Sequence, residues 1–289
     1  PAHVIEAAAE AMRAGFNKYT PNAGLPDVRE IIAEKLRRDN SIQATPDTVV
    51  VTPGGVFACA CAFLTILEPG DEVLLPEPNW PNYSFQVSLA GAKTVYYKLH
   101  EEKGFLPDLD ELQTLVTPKT KAILMNSPSN PTGGVFPRQV VMQLLAFARR
   151  NDLFIVSDEV YEKVIFEGEH VSPGAYDEDG RVISCFSFSK AYAMTGWRIG
   201  YATAAADICQ SFARLQEATV SCVSAPAQKG AAAAINGPQD FVGEMVRTYR
   251  ANRDAACRLF RDAGIPVVEP HGAFYIMVDI SRTGLDSYG

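Results

Sequence analysis

The segment from Ser187 to Gly200 has the residue types of a cofactor-binding turn. It follows an apolar run and contains one lysine, Lys190, with Arg198 eight residues further along the chain. A lysine amine can form a Schiff base with an aldehyde cofactor, and a serine hydroxyl together with an arginine guanidinium can bind a phosphate. A single lysine is more often a solvated surface charge, so this interpretation depends on the residues that follow the other apolar runs.

Seven short apolar runs alternate with segments of helical length. The runs are Val49–Val51, Glu72–Leu75, Thr94–Tyr97, Ala122–Met125, Leu153–Val156, Val182–Phe186 and Ile199–Ala202. Such alternation is typical of a mostly parallel sheet with helices on both faces, and nearly continuous apolar strands indicate burial on both sides.

A change of pattern after Ile235 indicates a second folding unit. A long helix is predicted over Gln239–Ala263, followed by a strand over Ala273–Val278. We therefore predict a three-layer α/β/α large domain over residues 1–250, with a mostly parallel, seven-stranded sheet. Residues 251–289 would contain the end of the connecting helix and the beginning of a small α+β domain.

The residues that follow each run are the candidate site, because ligands bind beyond the carboxyl ends of strands in open α/β sheets. Gly54 and Gly55 follow the first run and open a helix, whose N–H groups and dipole suit an anion. A plain tight turn is the alternative for such a pair. Trp80 lies in the proline-rich loop after the second run, where its ring could stack on an aromatic cofactor or cap the core.

Two further strand ends carry polar side chains. Asn130 lies in a loop with strong turn signals and could hydrogen-bond a phenolic oxygen or a carboxylate. Asp158 follows the fifth run and could hold a pyridinium nitrogen protonated, the state in which pyridoxal phosphate (PLP) withdraws electrons. A P-loop ATPase would also place a carboxylate here, but the sequence lacks the required Gly-x-x-x-x-Gly-Lys-Ser/Thr loop. Together with Lys190 and Arg198, these groups predict a PLP site.

Four motifs resemble those of the class I/II aminotransferases of PLP fold type I, in the aspartate aminotransferase superfamily. They are Tyr19–Pro26, Asn126–Gly133, Ser157–Tyr161 and Ser187–Gly200. The similarity spans essentially the whole chain. It implies a PLP-dependent enzyme that moves an amino group between an L-amino acid and a 2-oxo acid.

The resemblance also implies a role for each matching residue. Lys190 would bind PLP covalently and move a proton, Asp158 would pair with the pyridine nitrogen, and Tyr161 would hydrogen-bond the ring hydroxyl. Asn130 would share that hydroxyl and touch the substrate carboxylate, and Tyr19 would reach the phosphate of a neighbouring subunit, which implies a homodimer. The implied cofactor-binding set beyond the catalytic Lys190, Asp158 and Tyr161 is Gly54, Gly55, Val56, Trp80, Asn130, Ser187, Arg198 and Tyr19.

The sequence departs from the family pattern in ways that leave the substrate open. Val56 stands where one bacterial aspartate-specific subgroup has a lysine that binds the distal carboxylate, so a neutral or aromatic donor is at least as well supported as aspartate. The family's N-terminal substrate loop and its carboxylate-binding arginine find no match between Pro1 and Gly289, and we expect a longer chain.

Two other functions remain open alongside transamination. A C–S β-lyase of the same fold would carry nearly the same strand-end residues. An aminotransferase-like sensor domain of a transcription regulator would require a basic DNA-binding segment upstream.

Composition argues against several other functional classes. The 289 residues are 47% hydrophobic and carry a net charge of -8, which fits a soluble protein and argues against a nucleic-acid surface. No apolar run approaches the ~18–20 residues of a membrane helix. The 6 cysteines are dispersed and the 4 histidines form no metal-binding pair. We expect a cytoplasmic, metal-free protein whose partners are small amino and oxo acids.

Overall fold

The computed structural model describes residues 1–284, and the chain forms one sheet flanked by helices. The strands are β1 Val49–Thr52, β2 Glu72–Glu77, β3 Lys93–His100, β4 Leu106–Pro107, β5 Thr120–Asn126, β6 Phe154–Asp158, β7 Val182–Ser187 and β8 Gly200–Thr203. Their order across the sheet is β1-β8-β7-β6-β5-β2-β3-β4. The pairs joining β3, β2, β5, β6 and β7 are parallel, whereas β8 runs antiparallel to both of its neighbours.

All seven predicted strands are present, and the mostly parallel α/β architecture is confirmed. The sheet nevertheless has an eighth strand, β4, which pairs antiparallel with Leu99 and His100 at the end of β3. The predicted count of seven was therefore one too few. A strand of two residues is too short to show an alternating pattern in the sequence.

Helices cover both faces of the sheet. They are α1 Ala2–Arg13, α2 Pro26–Asp39, α3 Gly55–Ile66, α4 Asn82–Leu89, α5 Leu109–Leu115, α6 Arg138–Arg150, α7 Phe188–Ala191, α8 Ala206–Thr219, α9 Ala225–Asn236 and α10 Asp240–Asp262. Because successive strand residues point to opposite faces, Val50 packs in the core beneath α3, α4 and α8. Its neighbours Val49 and Val51 pack on the other face, against α2 and α9.

The predicted long helix is confirmed as α10, but the predicted strand over Ala273–Val278 is wrong. Within residues 1–284 this segment takes part in one isolated bridge, between Val267 and Val278. A strand requires extended backbone and a continuous partner, and Ala273 has a left-handed φ of 56° instead. The predicted domain boundary at residue 250 stays a prediction, and α10 runs through it without interruption.

The topology brings distant parts of the sequence to one edge of the sheet. β1 is parallel to β7, because both run antiparallel to β8. The carboxyl ends of β1, β2, β5, β6 and β7 therefore meet at one edge, together with the amino end of β8. Within residues 1–284, each helix is too short or too polar to span a lipid bilayer.

Candidate active site

A cavity of about 320 Å³ lies at this edge of the sheet. The predicted site residues that line it are Gly55, Val56, Trp80, Asn130, Asp158, Tyr161, Ser187, Lys190 and Arg198. Gly54 lies directly beside it, since a Cβ built there would be 2.7 Å from Arg198 Nη2. Tyr19 does not line the cavity, and its side chain is 88% exposed.

Lys190 is held at the cavity by the short helix α7. Ser187 caps this helix, and its Oγ accepts a hydrogen bond from the Ser189 N–H at 3.1 Å. The Lys190 Nζ lies 5.5 Å from the centroid of the Tyr161 ring. Burial lowers the pKa of Lys190 and Arg198 lowers it further, whereas Asp158 raises it. The neutral, nucleophilic amine is therefore more accessible at neutral pH than that of a surface lysine.

Asp158 is a buried carboxylate at the end of β6. Its Oδ2 accepts a hydrogen bond from Tyr83 Oη at 2.6 Å, and its Oδ1 accepts one from the Val160 N–H at 3.1 Å. Burial raises the pKa of Asp158 to about 6, and these two hydrogen bonds oppose that rise. At neutral pH the group is mostly ionised, so it can pair with a cation in the cavity.

Asn126 joins the carboxyl ends of β5 and β6. Its side-chain Nδ2 donates to the backbone oxygen of Asp158 at 3.0 Å, and its Oδ1 accepts from the Asn130 N–H at 2.7 Å. These bonds fix the loop that carries Asn130 relative to Asp158. The pairing of β5 with β6 and the Asn126 side chain therefore fix the distance between Asn130 and Asp158.

Arg198 and the start of α3 form the end of the cavity that is best suited to an anion. Gly54 has a φ of 87° and precedes the helix, whose first N–H groups have no partner within the helix. Gly200 packs so closely that a Cβ there would be 2.7 Å from the Gly55 nitrogen. Arg198 Nη1 donates to the Thr195 oxygen at 2.8 Å, which orients the guanidinium. Positive charge and backbone N–H groups are therefore concentrated together.

The family model for class I and II aminotransferases matches residues 1–286. The chain belongs to this family. Aspartate/prephenate aminotransferase of Thermus thermophilus is 39% identical, over 99% of this chain and 75% of the relative. Aromatic-amino-acid aminotransferase 2 of Thermococcus litoralis is 38% identical over the same shares. A solved structure, the aromatic aminotransferase of Pyrococcus horikoshii, has a TM-score of 0.96 at 38% identity, over 99% of this chain and 78% of that one.

The chain is thus a PLP-dependent aminotransferase, and its cavity residues fit that cofactor chemically. Asp158 can pair with a pyridinium nitrogen, and the Lys190 amine can react with an aldehyde. Arg198 and the first N–H groups of α3 suit a phosphate. The glycines are also needed sterically, because a Cβ at Gly55 would lie 2.7 Å from Val160 Cγ1.

Several cavity residues of the aminotransferase escaped sequence reasoning. They are Asn82, Tyr83, Val160, Ser189, Thr195 and Tyr275. Tyr83 lies in the first turn of α4, and its ring meets that of Trp80 edge to face at 5.3 Å. Trp80 precedes the first residue of α4, so no helical spacing links the two residues, and the sequence carried no signal for Tyr83. Tyr275 comes from the mispredicted strand, and nothing in that apolar segment gave a reason to place it at the cavity.

A buried polar network lies behind Asp158 and Tyr161 in this aminotransferase. Glu162 forms an ion pair with Lys35 of α2 and accepts a hydrogen bond from Asn40 Nδ2 at 2.8 Å. Glu159 joins the same network, because it accepts a hydrogen bond from Ser172 Oγ, which accepts one from Asn40 Nδ2 at 2.9 Å. Burial alone would raise the pKa of Glu162, but the charge of Lys35 holds it below its usual value. Two anchored carboxylates therefore flank Tyr161 and restrict its backbone.

Proposed function

We propose that this chain transfers an amino group between an L-amino acid with an uncharged side chain and a 2-oxo acid, with PLP bound covalently at Lys190. The observation that carries the proposal is the meeting of Lys190, Asp158 and Arg198 in one cavity. An amine, a buried carboxylate and a phosphate-binding cation at one sheet edge are the groups that this cofactor requires. The alignment with aminotransferases over nearly the whole chain supports the transfer of an amino group, and its relatives include both aspartate/prephenate and aromatic aminotransferases.

The proposed binding roles follow from charge and position. Arg198, Ser187 and the start of α3 at Gly54 and Gly55 bind the phosphate. Asp158 binds the ring nitrogen and keeps its proton in place, since the carboxylate is buried. Trp80 and Val56 line the cavity, where Trp80 can pack on the cofactor ring.

Lys190 has two proposed tasks in the reaction. When bound, PLP supplies an electron-withdrawing ring that stabilises the charge left on the substrate Cα after proton removal. The Lys190 amine removes that proton and delivers it to the neighbouring carbon, which requires the neutral form that burial favours. Tyr161 and Asn130 orient the ring hydroxyl by hydrogen bonds.

The substrate class follows from the charges of the cavity. Among its described lining residues, the cations are Lys190 and Arg198, and both are assigned to the cofactor. Val56 adds an apolar surface. An aspartate side chain would place its second carboxylate against this apolar surface, at a desolvation cost. A neutral or aromatic side chain avoids that cost.

A lysine substitution tests the covalent role. In Lys190→Ala, we expect loss of transamination and loss of the PLP mass that borohydride reduction attaches to the 188–198 region in the wild type. The matched control is Lys103→Ala, at a lysine that pairs with Asp108 on the surface. A Lys190→Ala protein with normal turnover would refute the proposal.

A panel of amino donors with 2-oxoglutarate tests the substrate class. We expect kcat/KM for phenylalanine, leucine or methionine to exceed that for aspartate by at least about tenfold, which corresponds to roughly 1.4 kcal/mol. Aspartate as the preferred donor would contradict the substrate class while leaving the reaction intact. Release of pyruvate and ammonia without conversion of the cofactor would instead indicate the C–S lyase.

A further inference from the structure

The Tyr161 hydroxyl is hydrogen-bonded to a second tyrosine of the cavity. Tyr161 Oη and Tyr275 Oη lie 2.7 Å apart. Tyr161 is buried and Tyr275 is partly buried, and both line the cavity. Since a phenol can donate one hydrogen bond and also accept, this contact leaves each hydroxyl one further interaction.

The segment that carries Tyr275 is docked firmly against the strand-end loops. The N–H groups of His271 and Gly272 donate to the backbone oxygen of Gly133 at 2.9 and 3.0 Å. The Ala273 N–H donates to the backbone oxygen of Val164 at 2.9 Å. The packing at Gly133 admits no side chain, because a Cβ there would lie 2.2 Å from Pro270 Cβ. The position of Tyr275 is therefore set by backbone contacts with the loop after Asn130 and the turn after Tyr161.

Aromatic contacts complete this arrangement. The Phe274 ring meets the Tyr161 ring edge to face at 5.2 Å, and the Lys190 Nζ lies 5.4 Å from the Phe274 centroid. The charged or titratable groups that influence Tyr161 and Lys190 are Asp158, Arg198 and Tyr275. Among these, Tyr275 is the one in hydrogen-bonding distance of the Tyr161 hydroxyl.

We propose that Tyr275 is a positioning residue that donates its hydrogen bond to Tyr161, so that the Tyr161 O–H is directed to the ring oxygen of PLP. The inference rests on the proposed function. A phenol that accepts one hydrogen bond becomes a stronger donor in the other, because the two bonds polarise each other. Tyr275 thereby strengthens the stabilisation of negative charge on the ring oxygen.

The direction of the effect follows from the charge on that oxygen. When hydrogen bonds stabilise the negative charge of the ring oxygen, that oxygen attracts the proton on the nearby Lys190 nitrogen less strongly. Loss of the Tyr275 hydroxyl weakens the stabilisation, so the proton is held more tightly and the pKa of that nitrogen rises. The visible absorbance of the bound cofactor reports this protonation directly, without turnover.

The test is a pH titration of the cofactor absorbance in the holoenzyme. We expect the midpoint to rise by about half a unit in Tyr275→Phe, on the order of one neutral hydrogen bond acting through a second. Tyr249→Phe is the matched control, because its ring packs on Phe274 at 5.4 Å and its hydroxyl has no hydrogen-bond partner within residues 1–284. The midpoint of this control should equal that of the wild type.

Two further proteins separate positioning from packing. In a Tyr161→Phe background, Tyr275→Phe should leave the midpoint unchanged, because the relay through Tyr161 is already absent. With 3-fluorotyrosine at position 275, which preserves packing and donates more strongly, the midpoint should fall.

Three results would overturn the inference. They are an unchanged or lowered midpoint in Tyr275→Phe, an equal shift in the presence and absence of the Tyr161 hydroxyl, and a raised midpoint with the fluorinated residue. If the wild type forms no reducible bond between PLP and Lys190, the proposed function itself fails. A wild type that titrates normally beside an unresponsive Tyr275→Phe refutes the role of Tyr275 alone.

Discussion

The Asp158 carboxylate is mostly ionised at neutral pH, although its burial disfavours the charged form. Its side chain is 3% exposed, and Tyr83 Oη and the Val160 N–H supply the hydrogen bonds that remain to it. The pKa of about 6 reflects a balance in which burial prevails over both bonds. A bound ring cation would lower the pKa of Asp158 and stabilise its ionised form.

This balance predicts a pH-dependent cost to folding in the cofactor-free protein. The pKa of about 6 in the folded state exceeds an unfolded value of about 3.9, so the stability present below pH 4 is lost as pH rises through 6. Asp158→Asn has no such charge. Its free energy of unfolding should therefore rise relative to that of the wild type between pH 4 and 7, by up to roughly 3 kcal/mol.

Urea unfolding of both proteins at several pH values measures this difference. Asp47→Asn, at an exposed carboxylate, is the control. A stability difference between Asp158→Asn and wild type that stays constant from pH 4 to 7 would contradict the assigned pKa.

Single residues were predictable where a strand end fixed their place. Asp158 and Lys190 follow apolar runs, and topology alone brings such positions together. Tyr83 was not predictable in this way, because its contact with Asp158 depends on how α4 packs beneath the sheet. In the sequence, nothing distinguishes Tyr83 from an ordinary aromatic residue of the core.

At the level of elements, the junction of β1 and α3 depends on a residue without a side chain. Gly54 has a left-handed φ of 87° and lies against Arg198. Both the backbone conformation and the proximity of the guanidinium exclude a Cβ. The start of α3 and Arg198 can contact one anion together because Gly54 has no side chain to separate them.

Gly54→Ala should separate these two demands when compared with Gly70→Ala. Gly70 has a similar φ of 97°, but a Cβ there would have nothing within 4 Å. Both substitutions should destabilise the fold by about 1 kcal/mol through backbone strain. Only the first should also displace Arg198 and weaken PLP binding, by at least about tenfold in Kd.

Equilibrium PLP titration and thermal unfolding of the two variants provide the measurements. Equal PLP affinity in Gly54→Ala and Gly70→Ala would show that the contact with Arg198 has no part in binding the phosphate.

Elements with a long periodic or apolar pattern were predicted well. The seven apolar runs became strands, and the long helix predicted over Gln239–Ala263 became α10. The failures were short or irregular segments. β4 contains two residues, and Ala273 breaks the extended conformation that its apolar neighbours favour. Local pattern carries no information about a single left-handed residue imposed by docking.

At the scale of the whole molecule, Tyr19 distinguishes an assembly from a single chain. It lies between α1 and α2, is 88% exposed, and does not reach the cavity of its own subunit. We propose that it binds the phosphate in the site of a second copy.

Mixed dimers provide the test of this exchange. A subunit with Lys190→Ala and a subunit with Tyr19→Ala form one site that retains both groups, because Tyr19 is supplied across the interface. At limiting PLP, co-expressed heterodimers should regain about half of the wild-type activity, whereas each parental homodimer should stay well below that level. Heterodimers no more active than the mean of the two homodimers would place Tyr19 outside the neighbouring site.

The long-range assembly of the site was the least predictable part. Tyr161 and Tyr275 are far apart in sequence, and no periodic pattern links them. Their contact follows from the docking of residues 271–273 on Gly133 and Val164, which is a property of tertiary packing.

The pairing of β7 with β8 has a consequence for the entropy of the site. Ser187 and Gly200 are direct partners in the antiparallel ladder, so the segment that carries Lys190 and Arg198 is closed by the sheet itself. Closing such a short loop loses little chain freedom compared with drawing Tyr275 back to Tyr161. Lys190 and Arg198 thus form a local unit, and the more distant Tyr275 adds its hydrogen bond to a segment whose ends the sheet has already joined.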